Sequence, residues 1–136
     1  MLRVLQELEV ATERRTQAVD ITDQVRDSLE DADGASAVVV FVPHTTAGII
    51  VQEHADPAVA RDFERALERV VGEGWGWEHI EAGEENAPAH IRAALTATSV
   101  VIPLRDGELA LGTWQGIFLC EFDGPRQRTV YVTPLA

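Results

Sequence analysis

Lysine is absent from this chain of 136 residues, and all eleven basic residues are arginine. That excludes a Schiff-base mechanism and a P-loop lysine on a nucleotide phosphate. The single cysteine, Cys120, excludes an intrachain disulfide and fits a reducing compartment. No apolar run approaches the roughly 20 residues that a membrane-crossing helix needs. The opening Met1-Leu-Arg-Val-Leu-Gln-Glu-Leu lacks the charged-then-apolar layout of a secretory leader. These features read as a cytoplasmic protein without a membrane partner. Basic charge is scarce beside acidic charge, 11 residues against 23, for a formal net charge of −12. Such a field repels phosphate backbones, so no nucleic-acid partner is expected. Also missing are a Ser-His-Asp nucleophile elbow, a glycine-rich phosphate loop and a CxxC pair.

What remains is an ordinary globular composition, 46% apolar and 25% charged, of a size that suits one domain with a real core. The chain is organised around Pro43-His44-Thr45-Thr46-Ala47-Gly48, a turn between two apolar runs. Residues 36–43 and 48–53 on either side read as buried strands, being β-branched and aromatic. Upstream, mixed alternation over residues 2–19 fits one or two strands. Thr22 is placed to cap a short helix with Val25 and Leu29 on one face, ended by Asp33-Gly34.

Asp56-Pro57 is a helix start, with aspartate as N-cap and proline at the first helical position. Val59, Phe63, Leu67 and Val70 then form an apolar stripe, Gly72 stands where a terminating glycine belongs, and Asp62, Glu64, Arg65, Glu68 and Arg69 read as the solvated face. Residues 72–85 read as a long glycine-containing loop that Trp75 and Trp77 can anchor. Asn86 is placed to cap a second long helix, Ala87 to about Ala97, with Ile91, Ala94 and Leu95 inward. Strands at 99–104, 113–122 and 127–134 follow, the first turning at Asp106-Gly107. The pattern predicts an α+β domain: an antiparallel-rich mixed sheet with two to three helices packed on one side. The strands 37–42, 99–104 and 116–120 are apolar on both faces, more than two helices can cover, which predicts packing between copies.

Several side chains carry candidate chemistry. His44, His79 and His90 sit in a turn, a loop and a first helical turn, and three converging imidazoles would suit zinc with a fourth position open. Independent surface histidines would give the same sequence. Glu53 ends an apolar strand, as a general base or metal-supporting carboxylate, or as half of a salt bridge. Trp114 and Gln115 begin a strand, where the indole either packs or stacks on a planar substrate. Arg126 and Arg128 flank a turn, able to clamp a phosphate or simply to be solvated. Cys120, mid-strand, reads as a packed thiol, and His54 as an edge residue.

Taken together, Pro43-His44-Thr45-Thr46-Ala47, Glu53 with Ala55-Asp56-Pro57 and Asp62, Asn86 with Ala89-His90-Ile91, Asp106-Gly107, Leu111-Gly-Thr-Trp-Gln115, and Glu121-Phe-Asp-Gly-Pro-Arg126 with Arg128 resemble the YjbQ family, also called the secondary thiamine-phosphate synthase family. The resemblance runs from about residue 16 to the end in the family's order. It departs at His54, where a small polar residue such as asparagine is more usual. It implies a small α+β domain that assembles as a homotrimer, with a metal-type site around His44, His79 and His90. It also implies weak joining of the thiamine pyrimidine diphosphate to the thiazole phosphate with loss of pyrophosphate.

The expected function is therefore a thiamine-phosphate synthase-like transfer on a phosphorylated small molecule. Glu53 and Arg126 would be catalytic; Thr45, Thr46, Trp114, Gln115 and Arg128 would bind substrate. A divalent metal would assist, zinc at the histidines or magnesium with the pyrophosphate. A metal-dependent hydrolase with Glu53 as base, and a non-enzymatic metal- or ligand-binding trimer, are the alternatives.

Overall fold

The computed structural model describes residues 5–30, 32–80 and 85–136. Its elements in order are β1 (Gln6–Ala11), β2 (Gln17–Asp20), α1 (Thr22–Asp27), β3 (Ala37–Phe41), β4 (Ala47–Glu53), α2 (Pro57–Val70), α3 (Ala87–Ala94), β5 (Ser99–Arg105), β6 (Glu108–Leu109), β7 (Gln115–Glu121) and β8 (Gln127–Leu135). The class is α+β, and every strand pairing among the described residues is antiparallel. The strands divide into a five-stranded sheet, β1-β8-β3-β5-β6, and a three-stranded sheet, β2-β7-β4.

The division explains why several strands are apolar on both faces. One core joins the two sheets: Val38, Val40, Ile102, Val130 and Val132 from the larger share a cluster with Ile49, Ile117 and Leu119 from the smaller. The other face of the smaller sheet, through Phe118, Cys120 and Ile50, packs on Ala60, Phe63 and Leu67 of α2 and Ala89 and Ala93 of α3. Cys120 is a buried thiol, and burial pushes its pKa well up. The outer face of the larger sheet carries half-buried or exposed Val39, Phe41, Val101 and Tyr131, with Phe41 and Tyr131 stacked at 6.4 Å. No helix among the described residues is long and apolar enough to cross a membrane.

Local chemistry accounts for several boundaries. Asp56 accepts from the Ala58 N–H at 2.9 Å and Pro57 opens α2, as the sequence predicts. Asp106 and Gly107 both take positive φ, 53° and 81°, the conformation that closes a two-residue hairpin. Gly48 lies against Thr96, where an added Cβ would stand 1.9 Å from the Thr96 Oγ1, so β4 can pass there only without a side chain.

Other boundaries differ from expectation. Ile21, not Thr22, precedes α1; the Thr22 hydroxyl is buried, donating to Asp20 and accepting from the Ile117 N–H. Helix α2 ends on Val71 in an extended conformation rather than on a left-handed glycine. Its terminal carbonyls are taken instead by Arg92, which is 2% exposed and donates to Leu67 O (3.1 Å), Glu68 O (3.3 Å) and Val71 O (2.7 Å). That guanidinium sits at the negative end of the helix dipole. Helix α3 is shorter than predicted, because Ala97 leaves it to exchange backbone bonds with Ile49. Ala89 and Ala93 face inward, while Ile91, Ala94 and Leu95 are exposed. Within α2, Val70 points outward and Glu64, expected on the solvated face, is buried under Arg14, which pairs with it through both terminal nitrogens at 3.0 and 3.1 Å.

Candidate functional site

Two neutralised ion pairs form the base of one open cleft. Glu121, the last residue of β7, is fully buried and lies beside Arg128 of β8, itself 4% exposed. The Arg128 Nε donates to Glu121 at 2.7 Å, and its second nitrogen reaches both the other carboxylate oxygen and the Thr46 hydroxyl. Thr12 Oγ1 and the N–H groups of Phe122 and Asp123 also donate to the Glu121 carboxylate. Burial works against its charge, but these donors, Arg128 foremost, outweigh it and hold the carboxyl below its ordinary pKa. Above this pair, Asp123 accepts from Arg126 and from Asn86, each at 2.9 Å. Desolvation again opposes the charge, and the bonds from Asn86 and Arg126 again win, lowering its pKa.

The turn between β3 and β4 places His44, Thr45 and Thr46 on one wall; Asn86 and His90 of α3, with His79 from the preceding loop, form the other. The cleft encloses ≈ 580 Å³. His79 and His90 meet edge to face, 5.2 Å between ring centres. His44 is held differently: its Nε2 accepts the backbone N–H of Thr129 at 2.9 Å. Burial, followed by the nearby Arg128 charge, lowers its pKa, so the ring is neutral near pH 7. With Nε2 an acceptor, the proton of the neutral ring resides on Nδ1. His44 is thus a hydrogen-bond donor. Asn86 does not cap α3 with its side chain; it is spent on Asp123, and its own Oδ1 is buried with no partner among the described residues.

Three imidazoles are a suitable donor set for a divalent metal, but this arrangement does not fit one as it stands. Among the described residues no group of three or more histidine, cysteine or carboxylate side chains is placed to hold an ion. The geometric reason is visible at His44, whose Nε2 is already occupied and whose Nδ1 bears the proton. His44, His79 and His90 therefore share a cleft without forming the expected three-imidazole group.

The remaining predicted site residues divide sharply. Thr45, Thr46, Arg126 and Arg128 line the cleft, although Arg128 is committed to its base rather than free to clamp a phosphate. Glu53, Trp114 and Gln115 lie elsewhere. In the β4–β7 register Ala47 faces Glu121 whereas Glu53 faces Gln115, so Glu53 lies at the opposite end of β4. At about 3.3 Å per residue that is a separation of about 20 Å. Glu53 makes no ion pair among the described residues, Trp114 is 63% exposed, and the Gln115 amide oxygen accepts from the Gly112 N–H. Sequence reasoning did not assign Glu121, Asp123 or Asn86 roles in the cleft. For Glu121 and Asp123 the signal was the run Glu121-Phe-Asp-Gly-Pro-Arg126 with Arg128, two carboxylates followed by two arginines.

The family model described as "UPF0047 protein YjbQ-like" matches residues 6–136. The chain belongs to the YjbQ-like UPF0047 family. A UPF0047 protein of Methanocaldococcus jannaschii is 39% identical over 133 residues, 97% of this chain and 94% of that one. The UPF0047 protein YugU of Bacillus subtilis is 40% identical over 132 residues, 95% and 97% of the two chains. Among solved structures, a YjbQ/UPF0047 family protein of Clostridium acetobutylicum superposes with a TM-score of 0.89 at 42% identity, covering 96% of this chain and 99% of that one. A YbjQ-like protein of Sulfolobus solfataricus gives the same TM-score at 34% identity, covering 98% and 96%. For this UPF0047 member the fold thus stands on a whole-chain likeness.

Proposed function

We propose that the histidine cleft binds a phosphorylated small molecule and supports a thiamine-phosphate synthase-like transfer. In that reaction the thiazole nitrogen bonds to the pyrimidine methylene carbon, and the carbon–oxygen bond to the diphosphate breaks with its electron pair on oxygen. Charge develops on the departing pyrophosphate, and stabilising it is what a protein can contribute. The observation that carries the reading is the Thr129 N–H to His44 Nε2 bond, which leaves the proton on Nδ1 of a neutral ring that lines the cleft. Arg126 adds a half-exposed cation whose second terminal nitrogen is held by Asp123, and Thr45 adds an exposed hydroxyl. Thr46 and Arg128 hold the base. Magnesium would enter as the pyrophosphate complex, and no step here requires a metal at the histidines.

The alternative of a metal-bound water activated by Glu53 loses support within one chain, because Glu53 lies at the far end of β4. The assay is pyrophosphate release from the two thiamine halves, with and without magnesium or zinc. Loss of one donor to a developing oxyanion costs about 100–1,000-fold in rate, which is the fall expected for His44→Ala. No pyrophosphate above a heat-denatured control under any metal condition refutes the transferase.

Assembly rests on a separate observation. The outer face of the five-stranded sheet presents Phe41, Val101 and Tyr131 with no helix among the described residues packed over it. We infer a homotrimer that buries this face.

A further inference from the structure

At the opposite end of β4 from the histidine cleft, His54 and Asp20 form a second, independently built pair. The His54 Nδ1 lies 2.9 Å from the Asp20 Oδ2. The other carboxylate oxygen of Asp20 accepts both the Thr22 hydroxyl at 2.6 Å and the Thr22 N–H at 3.0 Å. Thr22 is fixed in turn by the Ile117 N–H, which donates to its Oγ1 at 2.8 Å. The imidazole lies against Gly116, where an added Cβ would stand 2.5 Å from the ring Cγ and Nδ1, so the glycine makes room for this ring. The His54 backbone is held by its own bond to Trp114 O.

The consequence is a ring with one orientation. Asp20 is held ionised: burial opposes its charge, but the Thr22 bonds and then His54 outweigh it. An ionised carboxylate at Nδ1 places the neutral ring's proton there and leaves Nε2, across the ring from Cγ, as a lone-pair acceptor. His54 Nε2 has no partner among the described residues. The pair borders a cleft of ≈ 370 Å³ whose apolar wall is Pro57, Ala60 and Phe118. The charged groups facing it are Arg14 and Glu64, which neutralise each other, Asp56 at the α2 N-cap, and Arg61, which has no ion pair among the described residues.

We propose that Asp20–His54 is a general-base site that hydrolyses small carboxylic esters, with Arg61 favouring those that carry an anionic tail. Water attacks the ester carbonyl while its proton passes to Nε2, and Asp20 stabilises the imidazolium. On collapse the bond to the alkoxide oxygen breaks with its electron pair, and the imidazolium returns the proton to that oxygen. The products are a carboxylic acid and an alcohol, so nothing beyond water is consumed.

The test uses the full chain with 4-nitrophenyl acetate as probe. His54→Gln should lower the background-corrected rate at least tenfold, and Arg105→Ala, on β5 of the other sheet, should leave it unchanged. Asp20→Asn is the sharper variant, because its amide can still accept from Thr22 but must donate to His54 Nδ1. That forces the ring proton onto Nε2, and the rate should fall at least tenfold while the fold, followed by circular dichroism, persists. Nitrogen-15 shifts should place the neutral proton of His54 on Nδ1 in the parent and on Nε2 in Asp20→Asn. An Asp20→Asn or His54→Gln rate within twofold of the parent overturns the proposal. So does a parent ring protonated on Nε2, a measurement that needs no variant to fold.

Discussion

Replacing Glu121 by glutamine tests how the base of the histidine cleft is held. The carboxylate is fully buried and receives Thr12 Oγ1 at 2.9 Å, Arg128 Nε at 2.7 Å, the Phe122 N–H at 3.1 Å, the Asp123 N–H at 2.9 Å and a further bond from Arg128. An amide keeps one acceptor oxygen but turns the other position into a donor that faces donors. It also leaves the Arg128 charge, 4% exposed, without its counter-ion. Breaking one side of such a pair costs about 3–5 kcal/mol, a large share of the roughly 5–15 kcal/mol that holds a domain together. For a chain of this size each kcal/mol moves Tm by about 3–5 °C, so a fall of about 9–25 °C is expected.

The acid limb gives a second reading of the same contact. Glu121 has a folded pKa below its unfolded value, so its contribution is present above the ordinary carboxylate pKa, about 4.3, and is lost as pH falls through the folded value. Glu121→Gln has no such proton to take up. Its stability deficit should therefore be full at pH 7 and shrink below about pH 4. Removing both charges together, Glu121→Leu with Arg128→Met, should recover a substantial part of the loss, since no unpaired buried charge remains. Urea unfolding followed by circular dichroism measures all three. A Glu121→Gln cost under about 1 kcal/mol at pH 7 would refute the reasoning, being barely above an ordinary surface change.

Two further outcomes are expected. Arg92→Leu keeps volume but strips the donors from the last carbonyls of α2, and should cost about 2–4 kcal/mol in thermal or urea unfolding; a cost within about 0.5 kcal/mol would show that water replaces the guanidinium at no loss. Sedimentation of the parent at micromolar concentration should give a trimer and that of Val101→Glu a smaller species, because Val101 is 60% exposed on the uncovered sheet face; a stable parent monomer would remove the assembly reading.

Much of the fold was legible because it follows from local rules. Asp56-Pro57 needs only a neighbouring N–H to cap, and Asp106-Gly107 needs only its own backbone angles. The α+β class follows from two periodicities alternating along the chain. The errors fall where a distant partner overrides a local signal. Periodicity puts Glu64 on the solvated face of α2, yet Arg14, fifty positions earlier, folds over it. Gly72 looks like a helix terminator, but Arg92 supplies the donors from another helix.

The candidate site divides along the same line. By itself the sequence determined which chemistries are closed to this protein, having no lysine and one cysteine, and that the turn at His44 follows an apolar strand. It also carried the family, through motifs that are contiguous. Only the tertiary structure decided which of those motifs meet. Antiparallel register sends Glu53, Trp114 and Gln115 to one end of the smaller sheet and His44, Asp123 and Arg126 to the other. It also decided what each histidine can do: Thr129 makes His44 a donor, and Asp20 makes His54 an acceptor. A histidine's spare nitrogen is defined by what holds the other one, and that partner lies 85 residues away for His44 and 34 for His54.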